Sequence, residues 1–248
     1  MIHYHGTPCG ATRQDVARFL FGRHAFVSFF RPEDIGTAAE VCQSFCIDNG
    51  AFSAWKSGVV VDEWNSYYEF CDLWSRHPGF DWAVIPDIVD GDESDNDALI
   101  DEWPGHINGV PVWHLHESLA RLDRLASWPR IALGSSGVWG QPGGMAWWNR
   151  IAEVMAVICD EGGRPKTKIH GLRMLNHEIF CRMPLSSADS TNAVRNASNH
   201  SRFGIYIPPN ASTRMSIIAE RIESHQSAAV WNPMPTQSVF EFTASGQS

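Results

Sequence analysis

The sequence predicts an α/β fold of the (β/α)8 barrel type, built as one domain. Three observations predict it. The chain has 248 residues, close to the ~250 of a typical barrel of this kind. Short β-rich runs alternate with helical patterns, the mark of a parallel sheet wrapped by helices. Run after run also ends in polar, chemistry-bearing residues, as the mouth of a barrel demands.

The elements follow in order. The first strand is expected at 2–5, then a helix with Val16, Phe19 and Leu20 on one face. Strands are expected at 25–30 and 44–48, and the stretch 64–74 is aromatic and helical in spacing. The runs 81–86 and 110–114 read as buried strands. Leu119, Leu122 and Leu125 mark a helix at three-residue steps. Strand 130–134 ends in Gly134-Ser135-Ser136-Gly137. Met145, Trp148, Ile151, Ala152 and Met155 trace the apolar stripe of a long helix. Runs at 168–172 and 185–189 complete eight strands, and Met215, Ile218 and Ile222 form a last amphipathic helix. Residues 1–232 are assigned to the barrel. Residues 233–248, polar with scattered proline and glycine, are assigned to a flexible tail.

Composition narrows the class. The chain is 44% hydrophobic and 19% charged, the reverse of a disordered segment. A net charge of -9 argues against broad nonspecific nucleic-acid binding, which needs clustered cations. It leaves room for a local basic patch. Residues 195–214 carry Arg195, His200, Arg202 and Arg214 with no carboxylate between them, although that stretch also reads as an ordinary loop and helix start. The six cysteines form no CxxC pair and suit reduced thiols. No apolar run approaches the ~20 residues of a membrane span, and the N-terminus lacks a secretory pattern, so a cytoplasmic protein is expected.

The strand ends concentrate the chemistry. Strand 44–48 runs into Asp48-Asn49-Gly50-Ala51-Phe52, and 81–86 into Asp87, Asp90 and Asp92. The next finish at His114 and His116-Glu117, at Gly134-Ser135, at His170-Gly171-Leu172, and at Ser187-Ala188-Asp189-Ser190-Thr191. Singly, each has a structural reading. Asn49-Gly50 is turn chemistry, Asp87 and Asp90 suit helix caps, Asp189-Ser190-Thr191 suits a helix start, and either histidine suits a satisfied core position. Phe52 reads equally as a stacking platform for a base and as core packing. Jointly, carboxylates after three strands converge on one mouth, where several buried charges are costly unless used. Two carboxylates about one sugar carbon suit displacement at an anomeric centre.

These residues resemble, in order over about 44–195, the tRNA-guanine transglycosylase superfamily. Its Asp-Ser-Gly-Gly-Phe segment resembles Asp48-Asn49-Gly50-Ala51-Phe52. Its base-binding aspartate resembles Asp87, and its Gly-Gly turn resembles Gly134-Ser135. The strand end that binds the base resembles 112–116, with His116 where the family has a glutamine. The strand before the nucleophile resembles His170-Gly171-Leu172, and the nucleophile motif resembles 187–190. The resemblance implies a (β/α)8 barrel, a covalent aspartyl-sugar intermediate on Asp189, proton transfer by Asp48, and no cofactor. It also implies base contacts from Asp87, Asn49, Gly50, Phe52, His116, Gly134, Ser135 and His170. The family's CxCxxC zinc subdomain and C-terminal RNA-binding module have no counterpart in the sequence. The compact form is therefore most similar to the branch that installs 7-deazaguanines, such as 7-cyano-7-deazaguanine, in phage or genomic-island DNA. DNA is favoured over tRNA, and a helper protein or homo-oligomer is expected to supply further grip.

Two rival readings stand beside it. His3 and His5, with His114, His116, His170 and Asp189, loosely match the metal site of an amidohydrolase-like hydrolase. An inert barrel that binds a base without exchanging it is the third.

Overall fold

A computed structural model describes residues 1–61 and 63–233. Of the expected tail at 233–248, residues 234–248 lie outside the described residues. Among the described residues nine strands are interleaved with helices. They are β1 Ile2–Gly6, β2 His24–Ser28, β3 Ser44–Asp48, β4 Phe80–Val84, β5 Gly109–Val110, β6 Val112–His114, β7 Arg130–Gly134, β8 Lys168–Gly171 and β9 Ser187–Ser190. The helices are α1 Arg13–Leu20, α2 Ile35–Val41, α3 Ala51–Lys56, α4 Asn65–Ser75, α5 Glu93–Asp101, α6 Leu119–Leu125, α7 Met145–Ile158, α8 His177–Phe180, α9 Asn192–Asn196 and α10 Ala211–Glu223.

All strand pairings are parallel, in the order β5-β4-β3-β2-β1-β9-β8-β7-β6. The two ends of this order are neighbours in the chain, since only Pro111 separates β5 from β6. Residues 109–110 pair with β4, and 112–114 with β7. Proline supplies no N–H to the ladder, but its carbonyl accepts from the Ala132 N–H at 2.9 Å. The result is a nearly closed, all-parallel barrel.

The period of two along each strand splits the apolar residues into two cores. Tyr4, Phe26, Cys46, Trp82, Val84, Val110, Val112 and Ala132 form the inner one. Their strand neighbours, such as Ala25, Val27, Phe45, Ile47, Ala83, Ile131 and Leu133, pack outward against the helices. Each fully buried large side chain here contributes about 1.5–3 kcal/mol. The helical stripes fit the same plan. Val16, Phe19 and Leu20 of α1 and Met215, Ile218 and Ile222 of α10 are buried. In α7 the expected Trp148, Ile151 and Met155 are buried, joined by Trp147, Val154 and Ile158, whereas Met145, which opens the helix with no preceding turn to pack on, is exposed.

Local chemistry sets the boundaries. The Thr12 and Ser118 hydroxyls cap α1 and α6 by accepting from the Asp15 and Arg121 N–H groups. The strand expected at 25–30 ends at Ser28, because the Arg31 N–H turns back to the Ser28 carbonyl at 3.1 Å.

Candidate active site

The cavity at the C-terminal ends of the strands follows from strand alternation. At the upper edge of the inner core and one step beyond it, inward positions fall at Val84 and at Gly6, Ser28, Asp48, His114, Gly134, Leu172 and Asp189. All of these line a single cavity of about 460 Å³. They come from around the whole ring, so the mouth gathers residues that lie far apart in sequence. Asn49, Phe52, Asp87 and Ser135, from the following loops, complete much of the wall. The larger hollow at the opposite end, about 580 Å³, has no carboxylate or imidazole among its lining residues.

Asp189 is buried at the end of β9, and its Oδ1 accepts the Arg173 backbone N–H at 2.8 Å. Arg173 adopts a left-handed φ of 60°, which a side chain tolerates only at a cost of about 1–2 kcal/mol. That conformation aims its N–H at Asp189 while its guanidinium lies 3.9 Å above the Phe52 ring.

Asp48 has a carboxyl pushed up to about 7. Burial is the largest cause, followed by the charges of Asp189 and Asp87, while the Ser28 hydroxyl and the Gly50 N–H act in the opposite direction. Near neutrality Asp48 therefore holds a proton about half the time, as a group that gives and takes protons requires.

Asp87 is clamped from two sides. Its Oδ1 accepts from Asn49 Nδ2 at 2.7 Å, and its Oδ2 lies 2.7 Å from His114 Nε2. Asn49 is fixed in turn, since Nδ2 also reaches the Ile85 carbonyl at 3.0 Å and Oδ1 accepts the Ala51 N–H at 2.8 Å. Ser135 accepts the Trp147 indole N–H at 3.0 Å, so its hydroxyl is oriented by α7.

Three expected contacts do not reach the cavity wall. Gly50 sits at a φ of 80° and packs on Phe30, where an added Cβ would come within 2.7 Å of the Phe30 Cβ. It makes the turn into α3, and the residues around it face the cavity. His116 turns outward at the rim, stacked on His114 at 5.6 Å, with Nε2 3.4 Å from the Gly91 carbonyl. His170 lies one inward step below Leu172. It is fully buried, stacks on Phe26 at 5.3 Å, and has Nδ1 2.9 Å from Ser187 Oγ. Its Nε2 is 3.4 Å from Asp189 Oδ1. Burial holds this imidazole below the usual histidine range, against the pull of Asp189.

The histidines of the hydrolase reading do not assemble. His3 and His5 leave β1 on the helix-facing side, opposite Tyr4. His3 Nε2 lies 3.0 Å from the His225 carbonyl, and His5 Nε2 lies 2.7 Å from Glu223 Oε1. His114 and His170 sit inside the barrel. Among the described residues, no group of three or more His, Cys, Asp or Glu side chains is arranged to hold a metal ion.

Lys56, Arg173 and Arg195 also line the cavity; sequence reasoning marks Arg195 only as part of a basic patch and passes over Lys56 and Arg173. A signal is present in the sequence, since Arg173 and Arg195 stand shortly after the last two strands, but the acids and imidazoles at the strand ends outweigh it. No protein-family model matches the chain, and no curated protein matches it in sequence. Among the described residues no helix is long and apolar enough to cross a membrane.

Proposed function

We propose that the protein exchanges guanine in a nucleic acid, DNA in preference to tRNA, for a 7-deazaguanine base. Counting residues 109–114 as one strand broken at Pro111 supports reading the fold as a (β/α)8 barrel, the architecture this reading requires. The observation that carries the reading is the trio of carboxylates, Asp48, Asp87 and Asp189, lining one cavity, with Asp48 raised to about 7 by burial and its two neighbours.

In this mechanism the Asp189 carboxylate attacks C1′ of the target sugar. The bond from C1′ to the guanine ring nitrogen breaks, its electron pair stays with the base, and Asp48 gives the departing base a proton. The incoming base then returns a proton to Asp48, and its ring nitrogen displaces Asp189 from C1′. Asp87, steadied by Asn49 and His114, faces the base and accepts its N–H groups. The Arg173 N–H orients Asp189 for attack. A base within a duplex is out of reach, so the target is flipped out or single-stranded.

Base exchange tests the reading. Labelled guanine or 7-cyano-7-deazaguanine is incubated with protein and either duplex DNA, single-stranded DNA or tRNA. Label is expected to enter DNA, and Asp189→Asn is expected to lower incorporation by at least about a thousandfold. Full exchange by Asp189→Asn, with its fold intact by circular dichroism, would falsify the mechanism.

A further inference from the structure

Three cations line the same cavity as the carboxylates, yet they are not spent on them. Among the described residues the head groups of Lys56, Arg173 and Arg195 form no ion pair and donate no hydrogen bond to the protein. Several arginines elsewhere are paired. Arg23, Arg121 and Arg150 each hold a carboxylate at 2.6–3.0 Å. Three such cations stand together at the mouth of a protein whose net charge is -9.

Their placement is built by the fold. Arg173 follows β8 and Arg195 lies on α9 after β9, and these two strands pair directly. In barrels of this architecture the loops after the last two strands are the usual seat of a phosphate. Lys56 arrives from the far side. It ends α3 one turn after Phe52, so both occupy the same helix face, and Phe52 meets the Arg173 guanidinium at 3.9 Å. Stacking on Phe52 holds the Arg173 fork flat and leaves its N–H edge free for an anion. Burial and the neighbouring Arg195 charge both lower the Arg173 pKa, while Asp189 raises it. Loss of solvent is the largest of these effects, and an anion beside the guanidinium would offset it.

We infer that Lys56, Arg173 and Arg195 form a phosphate subsite that grips the phosphodiester flanking the target nucleotide. The inference rests on the base-exchange reading for its choice of a nucleic-acid strand. It makes a strand, and not a free nucleoside, the ligand of this cavity. The cations hold the backbone on the β8–β9 side, the sugar lies over Asp189, and the base points toward Asp87.

The test alters charge on both partners. Binding of a short single-stranded oligothymidine with one central deoxyguanosine is followed by fluorescence anisotropy at several salt concentrations. A matched probe carries neutral methylphosphonates at the two linkages beside that guanosine. The charged probe is expected to bind wild type at least about tenfold more tightly than the neutral one. In Arg173→Gln/Arg195→Gln that difference should collapse, and the salt slope should fall by about 0.7 for each phosphate that is no longer neutralised. Equal binding of the two probes by wild type, no binding of either, or an unchanged difference in the variant would overturn the subsite. So would an equal loss of affinity for deoxyguanosine monophosphate in the variant with no dependence on the flanking linkages, since that assigns the cations to a mononucleotide. The base-exchange reading fails separately. If wild type exchanges no base while the charge coupling persists, the subsite stands and the exchange chemistry falls.

Discussion

At the residue scale, Asp48 ties function to stability through one proton. Its carboxyl titrates at about 7 in the folded protein and near 3.8 in the unfolded chain. Between those values the folded state binds more protons, so stability falls as pH rises across that window and levels off above it. Asp48→Asn removes this cost. The variant is expected to be more stable than wild type by on the order of 2–4 kcal/mol at pH 8, with the gain vanishing near pH 4. Urea unfolding at the two pH values checks this, and a gain independent of pH would contradict the assignment. The same substitution should slow exchange by about a hundredfold or more and remove a limb near pH 7 from the rate profile. Asp48, Asp87 and Asp189 were legible in the sequence because a carboxylate after a β-rich run stands out. Arg173 was not, because its φ of 60° and its stacking on Phe52 belong to tertiary structure. His170 stood out equally, but one step of strand register puts it below the cavity.

At the element scale, the loops that carry Asp87 and His114 hang on one buried network. Glu117 Oε2 accepts the His114 N–H at 2.9 Å and the Arg121 guanidinium at 2.6 Å, while Oε1 accepts from Asn96 Nδ2 at 2.9 Å. Asn96 Oδ1 in turn accepts the Ile88 N–H at 2.7 Å, next to Asp87. Glu117 and Arg121 are 2% and 1% exposed; Arg121 also holds Asp97 at 2.8 Å, whereas Arg121 is the cation that Glu117 meets. Arg121→Met leaves a buried carboxylate without its cation and is expected to destabilise the fold by about 3–5 kcal/mol. A change in the urea midpoint worth less than about 1 kcal/mol would show that the network is not holding these loops. The Leu119, Leu122 and Leu125 stripe announced α6, but the Glu117–Arg121 pair at its start reads in sequence as an ordinary solvated i,i+4 pair. Only burial against β6 distinguishes it. The strands were legible to within about two residues because parallel strands are apolar on both faces. The short α3 was hidden, since the Asp48-Asn49-Gly50 turn masks the helix that positions Phe52 and Lys56.

At the scale of the whole molecule, closure is the property on which the site depends. The cavity is lined from strands all around the ring, so opening one seam disperses it. The seam that joins the two ends of the strand order is residues 109–114, where two residues pair with β4 and three with β7. The sequence pointed to a barrel, but it shows only one β-rich run at 110–114 and not that the pairing there divides at Pro111. Gly109 is the tight point. A Cβ added there would collide with the Trp103 indole and come within 2.9 Å of Ile85 Cγ1. It would also disturb the indole's hydrogen bond to the Ile107 carbonyl, 3.0 Å long. Gly109→Val is therefore expected to cost about 2–4 kcal/mol through overpacking and a strained buried donor. Because the seam joins the two ends of the strand order, the loss should be global. Far-ultraviolet circular dichroism and tryptophan fluorescence should report one shared urea midpoint, lowered from wild type, with an unchanged slope. Two separated midpoints would mean that the seam melts alone and the rest of the sheet holds without it. In that case the cavity would be carried by the β3–β2–β1–β9–β8 arc, which already contains Asp48 and Asp189, and Asp87 and His114 would be the first residues to leave the site.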